Sequence, residues 1–470
     1  MVVDQGPLLS CPNGTGKKGD TPVDNEVETV PWHLSGNWEP MQVEVTTTDL
    51  ETEGQIPEEL NGLYLRVGPN PSGGWSEHWF FGDGMVHGLA LQGGRAVSYR
   101  NRFVRTRLFE NRAGNKPTEV MDDLTMGLAN THVIRHADRI LALEEGHFPY
   151  ELTPGLDTVG PWDFDGKLTT SVTAHPKICP ATGELLFFSY FSFEPPYLTY
   201  HRADAEGRLV QTEPIDIPNM VMMHDFNITQ NHVVFMDLPL AFNLESIAEG
   251  GLPFRFDPEA GARLGVMPRN GTNSDVAWHE IDPCYVFHPV NSYEDGDNLV
   301  LHVSKLDSAF AKSGDDYSSS GCLWKWTIDT VAGTVHEEQL DDRRGDFGRV
   351  DDRLVGQPAR YGYLMALPDT GGDYVEYGET LYKYDLTTGQ RWDHELGAGV
   401  KGGEPVFAPA GPDAEEDEGW VLCIVHDENS GRSKFLIIDA RDFEGPPVAT
   451  VNLPQRVPYG AHGSWMPDPA

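Results

Sequence analysis

HPKICPATGELLFFSY (175–190) and HDFNITQNHVVFMDL (224–238) share one plan: a head histidine, a short strand, a polar turn and a second, apolar strand. THVIRHADRILALEE (131–145) and HPVNSYEDGDNLVLHVS (288–304) repeat it, and EPVF (404–407) leads through an acidic turn into WVLCIVHD (420–427). The apolar strands are short, rich in β-branched and aromatic residues, and bounded by Gly, Asn and Asp, which is the rhythm of an all-β chain. Helical periodicity is scarce; FNLESIAEG (242–250) supports one or two turns at most. The heads recur at steps of 49 residues (His175 to His224), 64 (to His288), and then 58 each to Asp346, Glu404 and His462. A period of this size matches a four-stranded unit with loops, repeated about a central axis, and the chain has room for about seven. The expected fold is therefore an all-β, seven-bladed propeller.

Composition agrees with a folded protein and narrows its partners. Of 470 residues, 39% are hydrophobic and 10% aromatic, enough to build a substantial core. Lys+Arg 34 against Asp+Glu 73 leaves a net charge of −39. Nucleic acid needs a cationic footprint, so DNA and RNA are excluded as partners, and adhesion to anionic lipid by charge alone is disfavoured. The acidity also suits a salty habitat, where solvated carboxylates keep protein in solution. Five scattered cysteines (Cys11, Cys179, Cys284, Cys322, Cys423), with no CxxC pair, argue against a disulfide framework or a cysteine zinc site and read as small core residues. MVVDQGPLLSCPNGTGKKGD lacks the form of a signal peptide, and no run approaches the ~18 apolar residues of a membrane span. The expectation is a cytoplasmic protein, in contact with membrane at most peripherally. Residues 1–38, rich in Gly, Pro and acid, read as a flexible tail, and 39–470 as one catalytic propeller domain.

If the heads line one axis, His175, His224, His288 and His462 converge there with carboxylates. A lone histidine is ordinarily a surface or core residue; four at equivalent places of a repeat are not explained that way. Imidazole is the commonest ligand of borderline metals, and four neutral nitrogens leave the ion its full charge. The acids then belong behind the ligands, accepting the other ring N–H and fixing tautomer and ring direction. A propeller serving only as an interaction scaffold is the competing class; it would leave the heads free to vary.

These residues carry a family resemblance. GQIPEELNGLYLRVGPNP (54–71) and HWFFGDGMVHGLAL (78–91), followed by VTAHPK, MMHDFNIT, YVFHPVNSYE, GGEPVFAP and YGAHGSW, resemble the ordered landmarks of the carotenoid cleavage oxygenases, from about residue 40 to 470. The resemblance implies a helical and loop cap over the metal-bearing face and a non-haem Fe(2+) held by His175, His224, His288 and His462. It implies acids behind three of the histidines, matching Glu145, Glu404 and Asp346. Asp346, in GDFGRVD, departs from the usual Glu and is one methylene short, so a water bridge or a backbone shift is expected there. Thr131 matches a position beside the iron. His87, in GDGMVH, is read as structural.

The family reaction cleaves a conjugated C=C bond with O2, and each alkene carbon leaves as a carbonyl. All four electrons come from the alkene, consistent with the lack of a nucleotide motif. A carotenoid or apocarotenoid is the expected substrate, with a stilbene as the alternative. Stilbene cleavers often carry a Lys and a Tyr that hold the phenol; here those positions read Glu144 and Phe103, placing a carotenoid first. Segment 237–256 is the expected lid, its Phe242, Leu244, Ile247, Leu252 and Phe254 forming either cap packing or an apolar patch that dips into a bilayer.

Overall fold

The computed structural model describes residues 30–111, 122–248, 251–312, 320–370 and 374–468. Strands account for 45% of the described residues and helices for 6%, so the all-β expectation holds. The sheets follow one another along the chain, as the repeat requires. The second blade runs through His132–His136, Arg139–Leu143, Tyr150–Leu152 and Thr158–Pro161, and the third from Lys177–Ile178 to Leu209–Ile215. The fourth begins at Asn227–Ile228 and ends at Ala277–Ile281. A seven-stranded sheet spans Tyr285–Asp295 to Arg391–Glu395 and divides at its long strand Thr334–Arg349, whose first half closes the fifth blade and second half opens the sixth. The seventh carries Val406–Pro409, Gly419–Asp427, Arg432–Asp439 and Ala449–Asn452.

Both chain ends close the ring. Gly463–Pro467 pairs with Gly62–Pro69 as the inner strand of the first blade, and Thr52–Gly54 pairs with Ala449–Asn452 as the outer strand of the seventh. The apolar clusters lie between neighbouring blades rather than within them. One joins Tyr64, Leu89 and Tyr99 of the first blade to Leu422, Phe435 and Ile437 of the seventh. Strands buried on both faces read as continuous apolar runs, which is why LLFFS (185–189) shows no alternation. Described cysteines Cys179, Cys284, Cys322 and Cys423 are buried and free, as their reading as core residues expects; Cys11 lies outside the described residues.

The boundary of the tail needs correction. Residues up to 29 lie outside the described part, but Trp32–Leu34 and Gly36–Trp38 form short 3-10 turns. Trp38 packs edge-on against Trp79, Tyr377 and Tyr459, with ring centroids 4.8–5.4 Å apart. Three aromatic partners supply the burial that pins this segment, so the compact unit starts at Trp32 and not at residue 39.

Candidate metal centre

Each head stands at the first strand of its blade: Thr131 before His132–His136, His175 before Lys177–Ile178, and His224 before Asn227–Ile228. His288 lies inside Tyr285–Asp295, Asp346 in the second half of Thr334–Arg349, Glu404 before Val406–Pro409, and His462 before Gly463–Pro467. Two heads sit on β-bulges. The register shifts on both sides of Pro289 and again between Asp346 and Arg349, and Phe347 between them has φ +59°. A bulge re-aims a side chain toward the axis, and a non-glycine residue at positive φ is a costly conformation that the surroundings must hold.

The four histidines do meet. They are buried, and a nitrogen from each lies within 4.8 Å of one from every other. His175 and His224 bring their Nε2 atoms to 3.0 Å, and His224 and His288 to 3.1 Å. An ion bonded to two imidazoles at roughly 2.1 Å with a right angle between them separates the nitrogens by about 3.0 Å. Rings that bring their nitrogens toward one point at this spacing fit a cation.

Carboxylates stand behind the rings. Glu145 contacts His224 Nδ1 and also accepts from the Tyr190 hydroxyl. Asp346 Oδ1 lies 3.1 Å from His288 Nδ1, close enough for direct contact, as the backbone-shift alternative expects. Glu404 Oε1 accepts from His462 Nδ1 at 2.9 Å while its Oε2 accepts from the Gly463 amide at 2.7 Å. Burial, reinforced by the other rings, pushes the His175 pKa well below its ordinary value. Burial likewise brings His462 down to about 4, against the pull of Glu404. His224 moves the other way: burial opposes its charged form, but the Glu145 carboxylate outweighs it. For Glu404, burial is outweighed by Arg349 and His462, which hold it well below the usual carboxylate range.

Above the ring of histidines opens a cavity of about 240 Å³, lined by Trp79, Phe80, Phe81, Phe191, Phe254 and Phe287 among others. Thr131 and Glu144 line it; Phe103, expected there, does not. Phe103 instead packs on Phe109, centroids 5.3 Å apart, which fills the space between its strand and the helix Arg107–Glu110. The Thr131 hydroxyl donates to Asn130 Oδ1 at 2.9 Å, so the group left for the cavity is its methyl. Glu144 pairs with His147 Nδ1 and accepts from the amides of Glu145 and Gly146, at 3.0 and 3.1 Å. His87 stands apart from the centre, bonded to the Tyr99 hydroxyl at 2.8 Å.

Tyr190, which bonds Glu145, was not legible as a site residue, nor was Arg349, which donates to Glu404 Oε1 at 3.3 Å and to the Gly463 carbonyl at 3.0 Å. Tyr190 closes the LLFFSY run and looked like core. Arg349 sits two residues after the Phe347 turn, where alternation gives no guide to its direction.

Residues 38–467 match the family described as Retinal pigment epithelial membrane protein. The carotenoid cleavage oxygenase of Mycobacterium tuberculosis is 38% identical, over 93% of this chain and 97% of its own length. The chain belongs to the carotenoid cleavage oxygenase family. Carotenoid 9,10(9',10')-cleavage dioxygenase 1 of Pisum sativum is 36% identical, covering 93% of this chain and 90% of its own. Among solved structures of the family, the Pseudomonas brassicacearum lignostilbene dioxygenase aligns with TM-score 0.84 at 30% identity, over 94% of this chain and all of that one. Cobalt-substituted Synechocystis ACO aligns with TM-score 0.81 at 28% identity, over 91% and 97%. Carotenoid cleavage oxygenases are thus its relatives in sequence along nearly the full chain and in fold, and the propeller expectation holds.

Proposed function

We propose that this protein is a non-haem iron dioxygenase that cleaves a conjugated C=C bond of a carotenoid or apocarotenoid into two carbonyl products. The observation that carries this is the convergence of four buried histidine nitrogens, backed by carboxylates, beneath an apolar aromatic cavity. His175, His224, His288 and His462 would hold Fe(2+), which when bound supplies the activation of O2. Glu145, Asp346 and Glu404 keep Nδ1 protonated on their rings, so Nε2 keeps its lone pair and the ring its direction. The aromatic lining takes up a polyene and excludes water, and the Thr131 methyl narrows the space beside the centre.

The likeness to a lignostilbene dioxygenase favours a second reading, an aryl alkene substrate. Glu144 argues against it: His147 and two amides already engage its carboxylate, and it offers no ammonium to a phenol. Phe103 brings no hydroxyl. The hairpin Leu240–Phe242 with Phe254–Phe256, capped by the helix Leu244–Ala248, serves as the entrance. Leu252 and Phe254 turn into the cavity, while Leu244 and Ile247 stand exposed at 70% and 49%, which supports reading them as a peripheral contact with a bilayer. Among the described residues no helix is long and apolar enough to cross a membrane.

The deciding experiment is product analysis by mass spectrometry, with iron-loaded protein incubated in air with an apocarotenal or with a 4-hydroxystilbene. Paired carbonyl products from the polyene alone are expected. Aldehydes from the stilbene alone would overturn the substrate, and no product from either would overturn the dioxygenase reading.

A further inference from the structure

An imidazole that offers Nε2 to a metal carries its proton on Nδ1, and a buried N–H without an acceptor is costly. Glu145, Asp346 and Glu404 bring a carboxylate oxygen to within about 3 Å of Nδ1 on three of the four rings. The family resemblance supplied no acid for His175. The carboxylate facing its Nδ1 is Asp225, with Oδ2 3.7 Å away, about 0.8 Å beyond an ordinary hydrogen bond.

Asp225 is 2% exposed and rigidly held. Its Oδ1 accepts from the Phe226 amide at 2.6 Å, and Lys177 Nζ reaches Oδ1 at 2.7 Å and Oδ2 at 2.9 Å. Lys177 lies two residues beyond His175 on extended chain, so both side chains leave the same face, one on each side of the carboxylate. Asp225 follows His224 directly. Alternation sends the histidine to the centre and the aspartate to the other side, toward the ring of the neighbouring blade.

We infer that Asp225, clamped by Lys177, is the positioning residue for His175, the fourth carboxylate of the centre. The inference rests on the metal-centre reading above. A shift of under 1 Å between the His175 ring and the carboxylate completes the hydrogen bond, and Lys177 keeps the carboxylate from swinging away.

The test uses the full chain loaded anaerobically with Fe(2+) or, as a spectroscopic probe, Co(2+), and reads metal release into excess chelator. Asp225→Asn should speed release by about 10- to 100-fold and alter the Co(2+) visible spectrum. Because the exchange leaves the half-buried Lys177 without its partner, the double variant Lys177→Met with Asp225→Asn is measured beside it. Release as fast as in Asp225→Asn alone is expected. Retention restored to the wild-type rate would show Asp225 to be only the counter-ion of Lys177 and overturn the inference. An unchanged Co(2+) visible spectrum in Asp225→Asn would overturn the action through His175. Wild-type release from Asp225→Asn would sink this inference and spare the centre, whereas a wild-type chain that binds neither metal would sink both.

Discussion

Asp346 is one methylene shorter than the glutamate usual at its place in the family, yet it reaches His288 Nδ1 directly. The backbone makes up the length: the bulge between Asp346 and Arg349 and the left-handed Phe347 lift this strand toward the axis, and the Phe347 ring stacks on His288 with centroids 5.0 Å apart. Asp346→Asn keeps the shape and removes the charge, so metal affinity measured by chelator competition should fall about 10- to 100-fold while the fold persists. Glu404→Gln should do the same through His462, and unchanged metal content in either variant would deny the carboxylate its role. His224→Ala, which removes a ligand rather than its support, should abolish stable iron binding, read by metal analysis of the purified protein.

At the scale of elements, the strands present the heads and the loops decide what can reach them. The Glu144–Gly146 turn shows the division of labour, since Glu144 accepts both following amides and so holds the turn from which Glu145 meets His224. The entrance hairpin splits its apolar residues between two jobs. Leu252 and Phe254 are buried at the cavity, while Leu244 and Ile247 remain outside and would cost little to place in lipid. Leu244→Asp with Ile247→Asp should therefore lower co-sedimentation with neutral vesicles several-fold and leave turnover of a detergent-dispersed substrate within about twofold. Equal sedimentation of variant and wild type would remove the hairpin from membrane contact.

For the whole molecule, two electrostatic effects oppose one another as pH falls. The charge of −39 repels itself, which salt screens and acid relieves. Buried histidines away from the centre act in the opposite sense: burial lowers His87 to about 3 and His201, His302 and His426 each to about 4. Because their folded values lie below the ordinary 6.5, the unfolded chain takes up protons first. Stability is full above about pH 6.5 and falls as pH drops toward 4. In about 1 M salt, where surface repulsion is screened, the melting temperature should decline steadily from pH 7 to 5. In dilute buffer at pH 7, added salt should raise it. A melting temperature independent of pH in high salt would contradict the buried neutral state of these rings.

The amino-acid sequence by itself determined the strand-and-turn rhythm, the spacing of the heads and the identity of the four histidines, because period-two strands and a recurring unit are local patterns. The ordered landmarks carried the family in the same way. Beyond the three acids that the resemblance supplied, only the tertiary structure decided which residues stand behind and around those heads. Phe103 left the cavity for Phe109, Trp32–Trp38 joined the body through three aromatic partners, and Tyr190, Arg349 and Asp225 entered the centre from separate blades. None of these has a local signature, since a bulge or a one-residue step reverses the face a side chain takes. The contact exists only once the closed ring brings distant blades to a common axis.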